Sequence, residues 1–210
     1  KYAKRHAATA VAITPNFEAL TNLAETAEDK ANVAEMQTAF GKYVAQFVKV
    51  VEARKIIGLS SKEGLRGQLR KAVHEAEVGI KTMNLPILEA ALLSMRRSEK
   101  DFMLRLDAKY VGRLEKGLTH FLAVVEEHVE DDDDKEYLSD MAEIYFAGFK
   151  KVSTSLLAEG KDRKFLSKIF AQIEPQLKAM QEQASGQFDT ANVDLKTSAQ
   201  TTFMAIIGAM

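Results

Sequence analysis

Residues 84–121 read NLPILEAALLSMRRSEKDFMLRLDAKYVGRLEKGLTHF. Leu88, Leu92, Met95, Phe102, Leu106, Tyr110, Leu114, Gly117 and Phe121 recur at spacings of three, four or seven. That spacing places them on one face of an α-helix. The only proline is Pro86, near the start, and both glycines, Gly112 and Gly117, come late. The pattern predicts one helix from about Asn84 to about Val129. At 1.5 Å per residue it would be about 65 Å long. Two bundles stacked end to end need a helix of that length, whereas one bundle rarely does.

The neighbouring stretches read in the same way. The apolar run Val44 to Ile57 ends at Gly58, a residue suited to a helix C-terminus. Ser60 and Glu63 have the spacing of a capping box for a helix that carries Leu65, Leu69, Val73, Ala76 and Ile80. Asn84 reads as the cap of the next helix, with Pro86 in its first turn. Four carboxylates, Asp131 to Asp134, favour a loop and then a helix start. Gly160 with Asp162 reads as a stop and a start, and Pro175 as a kink or an early turn. No stretch alternates with period two for long enough to form a strand. The expected fold is all-α, with about six helices in two stacked four-helix-bundle modules that share long helices.

The chain has 210 residues, with 29 Lys+Arg against 30 Asp+Glu, a net charge of -1. A generic nucleic-acid binder carries a strong basic excess, so nucleic acid is not an expected partner. There is no Cys, which excludes disulfides, cysteine zinc sites and thiol catalysis. His6, His74, His120 and His128 are scattered and form no H-E-x-x-H. No nucleophile elbow, P-loop or dinucleotide fingerprint occurs; Gly64 to Gly67 reads as part of an amphipathic helix. No catalytic residue, metal ligand or cofactor is assigned, and the chain is not expected to be an enzyme. The DDDDK run at 131–135 lacks the ligand spacing of a calcium loop. Residues 203–210, FMAIIGAM, are uncharged. They read as a buried helix end or as the entry to a membrane helix.

The chain also resembles itself. Tyr43, Phe47 and Val50 match Tyr145, Phe149 and Val152 at a shift of 102, as do Met36 with Leu138 and Gly58 with Gly160. Lys1-Tyr2 with Arg5 matches Lys109-Tyr110 with Arg113 at a shift of 108. A loop-length difference of six residues would reconcile the two shifts. On this reading residues 84–108 lack a counterpart, and the chain begins inside its first repeat.

Two rows of cations stand out. Arg66 and Arg70 are like charges one helical turn apart, with His74 continuing the row. Arg96, Arg97, Lys100 and Arg105 form the second row, which Asp101 relieves in part through i,i+4 pairs. Antiparallel helices joined near Asn84 would bring the rows level. Converging guanidinium groups suit a carboxylate, because each planar fork engages both oxygens. Salt bridges within the protein would explain the same residues.

The string LSMRRSEKDFMLRLDAKYVGR, residues 93–113, resembles the signature helix of helical bimodular sensor domains of bacterial methyl-accepting chemotaxis proteins. Gly58-Leu59, Gly64 to Arg70, and Ala72-Val73-His74 through Glu77 also resemble a stretch common in that family. The resemblance covers about residues 36–180, and the R-R-x-E-K-D-F-x-L-R string is its most specific part. It implies a periplasmic domain of an inner-membrane receptor that dimerises and recognises small organic acids, of the C4-dicarboxylate or acetate class. It makes the second reading of residues 203–210 the fitting one. Arg96, Arg97, Lys100 and Arg105 match the motif residue by residue. With Arg66, Arg70 and the tyrosines Tyr43, Tyr110 and Tyr145 they are the expected ligand-binding residues. A first copy of the motif, expected upstream, is not in the chain. The alternatives are the sensor domain of a membrane histidine kinase, or a structural or adaptor bundle without a small-molecule ligand.

Overall fold

The computed structural model describes the backbone of residues 2–208 and side chains as far as residue 178, those of Tyr2, Leu23, Gln176 and Leu177 aside. The described residues form six helices: α1 (Tyr2–Leu23), α2 (Ala27–Ile57), α3 (Gly64–Met83), α4 (Pro86–Arg105), α5 (Lys109–His128) and α6 (Asp132–Gly208). The all-α class and the number of helices agree with the sequence.

The single long helix expected over 84–129 is instead a hairpin. α4 ends at Leu106, whose φ of 50° and ψ of 38° lie in the left-handed region. The Leu106 N–H closes the turn on the Phe102 carbonyl at 2.7 Å. A non-glycine residue there costs roughly 1–2 kcal/mol. The stripe was a true guide to burial on both sides of the break. Leu88, Leu92, Met95, Phe102, Tyr110, Leu114 and Phe121 are all buried, while Leu106 is 42% exposed. Periodicity alone cannot register the reversal, because the two arms of a hairpin both face the same core.

Other boundaries shift for similar reasons. Asn84 does not cap α4. It closes α3 in the left-handed region with φ 52°, and its N–H bonds the Lys81 carbonyl. Leu85 is the residue before α4, and Pro86 is its first residue. Ser60 and Glu63 form no capping box. The Ser60 hydroxyl accepts from the Lys62 N–H at 3.3 Å, and Glu63 makes no side-chain cap bond to α3. Gly58 does end α2, with φ +108°. A Cβ there would lie 2.0 Å from the Glu63 carbonyl oxygen. Asp131 starts α6 as its composition suggests, accepting the N–H groups of Asp133 and Asp134 at 3.0 and 3.1 Å. Gly160 and Asp162 do not interrupt α6, and Pro175 lies well inside it.

The chain divides into two units. In residues 46–165, α3, α4, α5 and the first part of α6 surround one core, with Ile57 of α2 at its end. Gly117 of α5 passes so near α4 that an added Cβ would meet Met95 Cγ at 2.9 Å. Phe102 of α4 meets Phe149 of α6 edge to face, with ring centroids 5.4 Å apart. Within this unit α2 also pairs with α6: Arg54 Nε binds Glu159 at 2.9 Å, and Lys49 Nζ and Gln46 Nε2 bind Asp162 at 2.8 and 3.1 Å. The other unit holds residues 1–45 and 166–210. There Phe17, Val33, Met36, Ile169 and Ile173 form a smaller core from α1, α2 and α6.

The repeated triads both lie on helices. Tyr145, Phe149 and Val152 are fully buried, whereas Tyr43, Phe47 and Val50 are half-buried. Gly58 ends a helix and Gly160 does not. The loops 24–26 and 129–131 are equally long, so no six-residue loop difference separates them. Lys1, the Tyr2 side chain and the side chains of residues 203–210 lie outside the described residues.

Two glycine-region variants should move stability in opposite directions in urea unfolding. Gly58→Ala should lose more than about 1 kcal/mol, because its φ is strained for any side chain and the Cβ has no room. Leu106→Gly should gain up to about 1 kcal/mol by relieving the left-handed strain. The hydrogen bond from Lys49 chiefly, and that from Gln46, hold the Asp162 carboxyl below the usual aspartate range. A depressed folded pKa stabilises fully above the ordinary aspartate value of about 3.9. That contribution is lost as pH falls through the depressed value. Lys49→Ala should raise the Asp162 titration midpoint, measured by carboxyl NMR.

Candidate functional site

Residues 66–77 of α3 and 96–103 of α4 line a groove of about 630 Å³. Arg66, Arg70 and His74 line it from α3, one helical turn apart, and Arg96 and Lys100 line it from α4. Leu69, Val73 and Met103 supply apolar lining, and Lys62 stands in the preceding loop. The groove exists because α3 turns back at the left-handed Asn84 into α4, so the two cation rows run antiparallel. Gly64 to Gly67 form the first turn of α3 rather than an internal stretch. Gly67 is required there, since a Cβ would lie 2.5 Å from the Lys62 carbonyl oxygen.

Six cationic side chains, Lys62, Arg66, Arg70, Lys71, Arg96 and Lys100, line the groove with only two carboxylates, Glu77 and Glu99. Among the described residues Arg66 and Arg70 have no ion pair, and both are at least partly open to solvent. Arg96 is different. Its Nε lies 3.3 Å from Glu77, and its Nη1 donates to Glu99 Oε2. Lys100 Nζ lies 3.2 Å from Glu99 Oε1.

Glu99 is the residue that the sequence reading missed. It is 4% exposed and lies inside the bundle, where Tyr145 donates its hydroxyl to Oε2 at 2.9 Å. The signal was present in the numbering. Met95, Glu99 and Phe102 are spaced four and three, so Glu99 occupies a place in the apolar stripe. An ionised carboxylate there is tolerated only because guanidinium, ammonium and phenol all bond to it. Burial works against the charge on Arg96. The Glu99 carboxylate outweighs it, and the Arg96 pKa lies above the ordinary guanidinium value. Burial, with the Glu99 charge next, raises the Tyr145 pKa far above the ordinary phenol value, so its proton stays on. Glu159 repeats the pattern on α6. It follows Leu156 by three residues, is 2% exposed and is held by Arg54.

The other expected site residues are elsewhere. Arg97 is exposed and does not line the groove. Arg105 pairs with Asp101 and stands over the buried Tyr110 ring at 5.6 Å, beside Lys109 and Arg113, each at 5.1 Å. Tyr145 is behind the groove wall, committed to Glu99. Tyr43 belongs to the other unit, where its ring lies 6.1 Å from that of Phe170. The groove therefore unites Arg66, Arg70, Arg96 and Lys100 of the expected set. Among the described residues no group of three or more His, Asp or Glu is placed to hold a metal ion. No described helix is long and apolar enough to cross a membrane.

Compared with protein-family models, with curated proteins and with solved structures, the chain matches none.

The buried network predicts an asymmetry between two variants. Tyr145→Phe removes one of several donors to Glu99 and should cost about 1–2 kcal/mol in urea unfolding. Glu99→Ala leaves the buried Tyr145 hydroxyl without its acceptor and Arg96 with Glu77 alone, and should cost more, about 2–3 kcal/mol.

Proposed function

We propose that this chain is an extracytoplasmic ligand-binding sensor domain of a transmembrane chemoreceptor, and that it takes a small organic acid in the groove between α3 and α4. The observation that carries the reading is the unpaired Arg66 and Arg70 opposite Arg96 and Lys100. Two guanidinium groups without carboxylate partners, one turn apart on α3, repel each other. An anion removes that repulsion and fills both forks. The apolar lining from Leu69, Val73 and Met103 suits a short carbon chain between charged ends. Acetate or a C4 dicarboxylate has this chemistry.

The receptor context rests on the resemblance of residues 93–113 to helical bimodular sensor domains. That resemblance supports a periplasmic position, a homodimer and control of chemotaxis, with no catalytic role. An adaptor bundle without ligand would need Arg66, Arg70, Arg96 and Arg105 all paired inside the protein. Arg96 and Arg105 are paired, and Arg66 and Arg70 count against that alternative. Binding would act by favouring one of two helix packings.

Calorimetric titration with succinate, malate and acetate tests the reading. At least one should bind, and Arg70→Ala should weaken it by about tenfold or more, the worth of a charged hydrogen bond. Absence of binding by all three acids, or equal binding by the Arg70→Ala protein, would overturn it.

A further inference from the structure

Arg96 lines the groove and also reaches the buried Glu99. Its Nη1 donates to Glu99, which is 4% exposed and is also bonded by Tyr145 and Lys100. Its Nε faces Glu77 at 3.3 Å, and the Glu77 side chain is 42% exposed on the groove rim. The two partners therefore differ in how readily they yield. Glu99 is fixed by Tyr145 and Lys100 as well, whereas Glu77 has solvent on its other side and loses little by turning outward. A carboxylate in the groove competes with Glu77, and not with Glu99, for Arg96.

We propose that Glu77 is a built-in competitor that occupies Arg96 until an anion's carboxylate replaces it, and that the exchange is sensed on α6 through Glu99 and Tyr145. The proposal rests on the reading of the groove as an anion site. The coupling lies in one atom. Arg96 Nη1 and the Tyr145 hydroxyl both donate to Glu99 Oε2, so a shift of the guanidinium is felt where α6 is anchored. One turn further along α6, Phe149 packs edge-on against Phe102 of α4, and both rings are fully buried. A tight core has discrete packings rather than a continuous range, so a small displacement at Glu99 favours one of them. Glu77 also sets specificity. An acid that reaches only Arg66 and Arg70 binds without displacing it, while one that spans the groove must displace it.

The test is Glu77→Gln, followed by calorimetry with succinate and by hydrogen exchange of the α6 segment 141–152. The variant should bind succinate about fivefold tighter or more. Without any added acid it should already change exchange in that segment, because Arg96 has lost one partner. The change should disappear when Glu77→Gln is combined with Tyr145→Phe, relative to Tyr145→Phe alone. Glu77→Asp, which keeps the carboxylate, should exchange like the parent protein. Unchanged or weaker succinate affinity in Glu77→Gln overturns the competitor role. Unchanged exchange in the acid-free Glu77→Gln protein, an equal change in Glu77→Asp, or a change that persists with Tyr145→Phe overturns the coupling. If succinate binds neither the parent nor the variant, the ligand and the competitor role fall together. The acid-free exchange comparison then decides the coupling by itself.

Discussion

A carboxylate buried at Glu99 is the constraint around which the 46–165 unit is arranged. An ion in a helical core is destabilising unless each lone pair is met by a donor. Arg96 and Lys100 meet it from α4, and Tyr145 meets it from α6. Arg96 must in turn lie at the bundle edge, where it lines the groove and also reaches Glu77. One buried carboxylate thus ties α4 to α6 and also binds a guanidinium at the groove. It also separates the arginines of the groove into two kinds. Arg96 is held by the protein, and Arg66 and Arg70 are not.

The same logic recurs at Glu159 of α6, which Arg54 of α2 holds. In both places an acid takes a position that periodicity assigns to an apolar residue. Helical stripes are read by their hydrophobic members, so an acid inside one is passed over. The spacing Met95, Glu99, Phe102 carried the information, and so did Leu156, Glu159. What it could not carry is the identity of the partner, since Tyr145 and Arg54 are distant in sequence from the acids they serve.

The cation rows of the candidate site were legible to a useful degree. Like charges at i,i+4, Arg66 with Arg70 and Arg96 with Lys100, are locally unfavourable, and that marks them as having a purpose outside the helix surface. Their meeting across α3 and α4 follows from a short connection near Asn84. Arg97 and Arg105 belong to the same charged string but lie outside the groove, because a helix turns 100° per residue and only part of a run shares one side. The tyrosines were the less legible part. Tyr110 and Tyr145 are core residues with a polar end, and Tyr43 is in the other unit.

Local chemistry determined that this chain is helical, where most of its core faces lie, that Gly58 ends a helix and that Asp131 begins one. Those properties depend on neighbours three or four residues apart, and the sequence contains them. The reversal at Leu106 was decided only by tertiary structure. No glycine or proline marks it, and the left-handed turn is sustained by the packing of α5 back onto α4, with Gly117 against Met95. The same holds for the continuity of α6 through Gly160 and Pro175. It holds equally for the site. Four cations became a groove, and one acid became its link to the interior, because contacts between residues tens of positions apart placed them there.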